Sequence, residues 1–150
     1  MPCIFSFECN ASFVNERLAL VEALLKDPDV QGRALYPSVL PTRDLARQNA
    51  PYHAGRLAAN IGLVLRTGTR SSTARIRTNL PYSWMRERGG EIVPVHAKML
   101  HWIDYGGGEH FAYHVHQEGT HYMERAYEET RPIVPPLYLV NLLHELWKAL

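Results

Sequence analysis

Asn60-Ile61-Gly62-Leu63-Val64-Leu65-Arg66 and, after the polar stretch Thr67 to Ser72, Ala74-Arg75-Ile76-Arg77-Thr78 are the segments whose reading decides the fold. Ile61, Leu63 and Leu65 alternate with Asn60, Gly62 and Arg66, and Ala74, Ile76 and Thr78 alternate with Arg75 and Arg77. A period of two sends successive side chains to opposite faces, so the pair predicts a β-hairpin with one apolar and one basic face. A second hairpin is expected downstream, with Met99 to Tyr105 as its first strand and His110 to Gln117 as its return. Its turn is Gly106-Gly107-Gly108, which permits positive φ at any position.

Helical spacing surrounds these hairpins. Val14, Leu18, Val21, Leu24 and Leu25 predict an amphipathic helix that Asp27-Pro28 stops, and Asn10 or Ser12 can cap it. The stretch from Pro28 to Pro41 holds three prolines and a glycine without a sustained period and reads as a surface loop anchored by Leu35, Tyr36, Val39 and Leu40. Thr42 is expected to cap a short helix ending before Pro51, and Thr120 to cap another from Tyr122 to Glu129, ended by Pro132, Pro135 and Pro136. Leu139, Leu142, Leu143, Leu146, Trp147 and Leu150 form a wide apolar stripe on a C-terminal helix at about 137–149. Cys3 to Phe7 reads as an N-terminal strand. The expectation is one α+β domain over 1–150: a mainly antiparallel sheet from two β-hairpins plus the N-terminal strand, packed with three to four helices.

Composition is that of a soluble globular chain: 46% hydrophobic, 21% charged, formal net charge +1 over 150 residues. That length suffices for one core. Cys3 and Cys9 lie too far apart in an extended strand to bridge, and no stretch is long and apolar enough to span a membrane, so a reducing cytoplasm is the expected place of synthesis. Charge is unevenly spread. Seven arginines between Arg56 and Arg88 face the single acid Glu87, whereas from Asp104 onward seven acids face Arg125, Arg131 and Lys148. Arginine outnumbers lysine thirteen to three, and its planar fork suits contacts with carboxylates at interfaces.

Four ordered motifs give the chain a resemblance. Ala50-Pro51-Tyr52-His53-Ala54-Gly55-Arg56-Leu57 leads to Asn60-Ile61. Pro81-Tyr82-Ser83-Trp84-Met85-Arg86-Glu87-Arg88-Gly89-Gly90 follows the first hairpin. Pro94 leads into Ala97-Lys98-Met99-Leu100-His101-Trp102, and Val115 through Gly119-Thr120 leads into Tyr122-Met123-Glu124-Arg125-Ala126. In this order they resemble the tail-component, or minor tail protein, family of long-tailed bacteriophages, over about Thr42 to Thr130. Ala54 stands where that family has threonine, Asn60 and Ser83 where it has serine and alanine, and His121 where it usually has proline.

The resemblance implies a structural virion subunit of the neck or tail end, made in the host bacterial cytoplasm and without enzymatic activity, catalytic residues, metal or cofactor. It also implies a homo-oligomeric ring, often six-fold, that acts in head–tail joining or tail completion. Its partners would be connector or adaptor proteins and tail tube or terminator proteins, with passing contact to genomic DNA and none to a membrane. A ring closes when one patch of a subunit fits a different patch of the next. Arg66, Arg70, Arg75 and Arg77 are therefore expected to meet Glu124, Glu128 and Glu129 of a neighbour. The loop from Trp84 to Gly90, with Arg86, Glu87 and Arg88, and the C-terminal helix with Trp147 are the other expected contact segments.

Two other readings stay open at this level. His114 and His116, two apart on one expected strand face with His96, His101 and His110 nearby, could make the metal site of an enzyme. The arginine-rich hairpin beside Tyr82 and Trp84 could bind nucleic acid. Nucleotide and nucleophilic chemistry have no motif here: there is no G-x-S-x-G elbow and no Walker lysine.

Overall fold

The computed structural model describes residues 11–51 and 55–149, with side chains from residue 15 onward. The expected strand Cys3–Phe7, both cysteines and the Tyr52–Ala54 part of the first motif lie outside the described residues. In chain order the elements are α1 (Ala11–Lys26), α2 (Pro28–Asn49), α3 (Arg56–Asn60), β1 (Gly62–Arg66), β2 (Thr73–Arg77), α4 (Ser83–Arg88), β3 (Gly89–Ile92), β4 (Leu100–Ile103), β5 (Glu109–Ala112), β6 (Val115–Glu118), α5 (Tyr122–Thr130) and α6 (Val134–Ala149). The class is α+β with antiparallel strands, as expected. The described helices number six rather than three to four, and the strands form three separate pairs, β1–β2, β3–β6 and β4–β5, rather than one sheet.

The largest departure is α2, which replaces both the expected loop from Pro28 to Pro41 and the short helix capped by Thr42. Asp27-Pro28 does stop α1, but it also starts α2. The Asp27 carboxylate accepts the Asp29 N–H at 2.8 Å and proline occupies the first helical position, where its missing donor costs nothing. Val30, Ala34, Ser38, Thr42 and Ala46, spaced by four, are all buried and form a continuous stripe of small side chains. Pro37 and Pro41 are exposed. The carbonyls they leave without partners lie on the equally exposed Arg33 and Pro37, where water can reach them, so the helix tolerates both rings.

The chain divides into two compact units, with α2 contributing to each. The first holds α1, α2 through Ser38, Leu65–Ala74 and the chain from Val134. Here α1 packs on α6. The buried Ser38 hydroxyl donates to the Ala34 carbonyl at 2.6 Å and accepts Asn141 Nδ2 at 2.9 Å, so its polarity is matched on both sides. Arg33 and Lys148 both reach Glu145, at 2.7 and 2.8 Å, and hold its carboxyl below the usual range, Lys148 contributing most. Pro135 and Pro136 sit in the first turn of α6, so they open that helix besides following α5.

The second unit holds Val39–Val64 and Arg75–Ile133 around a core of Ala46, Ala50, Leu57, Ile61, Tyr122 and Ala126. Thr42 and Thr130 meet at 2.7 Å between their hydroxyls. Thr130 donates its one hydrogen to the Ala126 carbonyl, so Thr42 is the donor of the pair. Thr42 is thus a mid-helix bridge rather than a cap.

Tyr122 is 1% exposed, and burial, then the charge of Glu87 and then Tyr82 push its phenol up to about 12. The folded chain keeps a proton that an unfolded tyrosine releases near pH 10. Stability is therefore untouched below pH 10 and falls between pH 10 and about 12. The Tyr122→Phe variant is expected to lose that alkaline step, worth about 2 to 3 kcal/mol, in denaturant titrations at pH 9 and pH 12.

Candidate subunit interface

The basic hairpin is present, and β2 alternates as expected: Ala74 and Ile76 are half-buried, Arg75 and Arg77 exposed. Arg66 and Arg70 are exposed too. None of the four guanidiniums forms an ion pair among the described residues, so their charges are available to a partner. Of the acids expected to meet them, Glu124 accepts His121 Nδ1 at 2.9 Å, Glu128 lies 3.8 Å from Arg131, and Glu129 is exposed. Trp147 on α6 is 81% exposed, and Trp84 is exposed as well.

The expected loop from Trp84 to Gly90 is instead α4 running into β3, and it meets α5 in a reciprocal junction. The Arg86 carbonyl accepts the N–H of Thr120 at 2.8 Å and its hydroxyl at 2.7 Å, and the Glu87 carbonyl accepts the His121 N–H at 3.0 Å. In return the Glu87 carboxylate accepts the N–H groups of Met123 and Glu124 at 3.0 and 2.9 Å. Each helix end thus finds partners on the other, and a negative charge sits at the positive end of α5. Thr120 is therefore not the cap of α5; its hydroxyl serves α4, and Glu87 caps α5 from outside. Glu87, expected to face a neighbour, uses both carboxylate oxygens within the chain.

His121 takes φ 47°, a left-handed conformation that proline, fixed near −65°, cannot adopt. The junction joins the second and fourth motifs, through Glu87, Gly89 and Gly119-Thr120. The core joins the first and fourth, through Ala50, Leu57, Ile61, Tyr122 and Ala126.

Beyond the junction the chain forms a long antiparallel ribbon. Its base pairs β3 with β6, Gly89 opposite Glu118 and Ile92 opposite Val115. Its outer half pairs β4 with β5, Leu100 opposite Ala112 and Ile103 opposite Glu109. Between the halves, seven residues from Val93 to Met99 face only two, Tyr113 and His114. The expected return strand His110 to Gln117 is therefore broken in two, and β3, hidden behind its glycines, is the partner that takes the second piece.

Every residue from His101 to Phe111 is exposed. On one face of the outer ribbon His101 stacks on Phe111 and approaches Glu109 at 3.7 Å; on the other, His110 stacks on Trp102 and reaches Asp104 at 2.9 Å. At the tip Asp104 Oδ1 accepts the N–H groups of Gly106 and Gly108, and Gly107 alone of the three glycines has positive φ, 82°. His116 and Glu91 face each other across the base at 3.3 Å.

These histidines thus each meet one carboxylate rather than one another, and His114 falls in the break between strands. Among the described residues no three His, Cys, Asp or Glu side chains gather as a metal site, and no helix is long and apolar enough to cross a membrane. Glu87 as a cap carries no local sequence signal. Compared with family models, curated proteins and solved structures, the chain matches none.

Proposed function

We propose that this chain is a structural subunit of a tailed-phage neck or tail end that closes a ring with copies of itself and acts in head–tail joining or tail completion. The observation that carries the assembly reading is the outer ribbon. A lone two-stranded ribbon is marginal in water, and this one has open edges and exposes Trp102, Ile103, Tyr105 and Phe111 together. Such a surface suits a macromolecular neighbour better than a small reactant. The arginines of the β1–β2 hairpin, without an ion pair among the described residues, and the exposed acids of α5 supply complementary charge for a heterologous contact. The placement in a phage neck or tail rests on the four ordered motifs.

Charge reversal tests the interface. The double variant Arg75→Glu, Arg77→Glu is expected to abolish assembly at low salt, read as particle mass by sedimentation, while the wild-type ring weakens as salt rises. A double variant that assembles like the wild type rules the basic hairpin out of the contact. Deleting the chain from its virus is expected to leave filled heads and tails that fail to join, or tails of wrong length; normal particles would remove the neck assignment.

A further inference from the structure

The outer half of the ribbon is a sheet of two strands, β4 and β5, and among the described residues no third strand pairs with either. Asp104 donates its N–H to the Gly108 carbonyl at 2.9 Å, which fixes the hydrogen-bonding side of the ladder. Hydrogen-bonded and non-hydrogen-bonded pairs alternate along an antiparallel ladder, so Trp102 opposite His110 is the next bonded pair. The N–H and C=O groups of His101 and Ile103 on β4, and of Glu109 and Phe111 on β5, therefore point away from the hairpin along its two margins. Natural proteins refuse a further strand with lysine, proline or a covering element. From Leu100 to Ala112 there is neither lysine nor proline, and every residue from His101 to Phe111 is exposed. Both margins are open templates.

The side chains say which margin meets which. His101, Ile103, Glu109 and Phe111 share one face of the hairpin, where His101 stacks on Phe111 with ring centroids 4.6 Å apart and lies 3.7 Å from Glu109. The β4 margin thus presents imidazole and the β5 margin carboxylate. Joining β4 to β4 brings His101 near His101, and joining β5 to β5 brings Glu109 near Glu109. Joining β5 to β4 repeats the pairing that the hairpin already makes, with Phe111 between two imidazoles and Glu109 diagonal to a second one. We infer that β5 of one copy adds to β4 of the next as an antiparallel strand, so that the arms form one continuous sheet between subunits. This contact deepens the ring reading and rests on it.

Strand direction agrees with it. Because β4 and β5 are antiparallel, a β5-to-β4 junction leaves every β4 running the same way, as rotation about one axis requires. An antiparallel β4-to-β4 junction needs a two-fold axis and stops at a pair of copies. The outward groups also match: His101 opposite Phe111 and Ile103 opposite Glu109 of the neighbour exchange up to about four backbone hydrogen bonds. An even offset between copies keeps every side chain on its face and supplies the stagger that a closed barrel needs.

The test is amide hydrogen exchange on the wild-type chain, read residue by residue in assembled particles and in dilute monomers, with mass from sedimentation velocity. In the monomer the amides of His101, Ile103, Glu109 and Phe111 are expected to exchange faster than those of Trp102 and His110, which the hairpin uses. In the assembly the first four are expected to slow at least roughly tenfold. Ile103→Pro removes an outward N–H at a place where an edge strand tolerates proline. It is expected to associate roughly tenfold more weakly while the near-ultraviolet signal of Trp102, stacked on His110, persists. Ile103→Val keeps the N–H and is expected to assemble like wild type.

Assembled particles in which the four amides exchange as fast as in the monomer overturn the strand addition and leave the ring standing. So does protection already complete in the monomer, or protection that appears only when another virion protein is added, which gives the margins to that protein. An Ile103→Pro chain that keeps its arm and assembles like wild type overturns it too; if that variant loses its arm, the exchange result decides alone. A wild-type chain that is monomeric at every concentration overturns both the strand addition and the ring.

Discussion

Gly119→Ala is expected to cost about 3 kcal/mol or more, read as a shift in the denaturant midpoint, and to rank with Gly89→Ala as the most damaging methyl groups that can be added at the described glycines. A Cβ at Gly119 would stand 2.5 Å from the Arg88 carbonyl carbon and 2.7 Å from the carbonyl oxygens of Arg88 and Glu87. A Cβ at Gly89 would stand 2.5 Å from both the Gln117 oxygen and the Gly119 nitrogen, at a φ of +75°. The atoms in the way are backbone, so no side chain can swing aside. Relief requires β3 and β6 to part, and with them the hydrogen bonds from Thr120 and His121 to α4. The control is Gly107→Ala, which has positive φ but open space around it, and should cost only about 1 kcal/mol.

The second large effect is expected at Glu87. Glu87→Ala leaves the Met123 and Glu124 N–H groups without their acceptor and removes the anion at the start of α5, for a loss of about 1 to 2 kcal/mol. Glu87→Gln keeps one acceptor and should lose about half of that. Two readouts separate this capping role from a general packing defect. Amide exchange should accelerate first at Met123 and Glu124. The alkaline titration of Tyr122, held up in part by the Glu87 charge, should move down in Glu87→Gln. An unchanged Tyr122 titration would deny the electrostatic part of this account.

What could be read from the residues was whatever repeats at short range. Ile61 to Arg77 announces a hairpin through its alternation, although only β2 alternates in burial and β1 is half-buried from Gly62 to Leu65, and α1 and α6 announce themselves through apolar spacing of three and four. The loop reading of Pro28 to Pro41 failed for two linked reasons. A proline breaks a helix less when its ring and the carbonyl it strands face solvent, as at Pro37 and Pro41, and a buried stripe built from Ala34, Ser38, Thr42 and Ala46 has too little apolar mass to register as a core face. Gly89 is expected only as part of the loop from Trp84 to Gly90, although close approach of the β6 backbone is what requires it. Glu87 acts on N–H groups 36 and 37 residues away, and nothing near it in sequence advertises that. Of the expected interface, the exposed arginines and Trp147 stand where a partner can reach them, whereas Glu87 belongs to the interior logic of the fold.

The mismatch of seven residues against two in the middle of the ribbon makes its outer half a replaceable cassette. Lengthening or trimming β4 and β5 in matched steps of two would keep every side chain on its face and leave the helix junction untouched. Insertion at the arm alone therefore changes its reach, while the body that anchors it stays under a separate and stricter constraint.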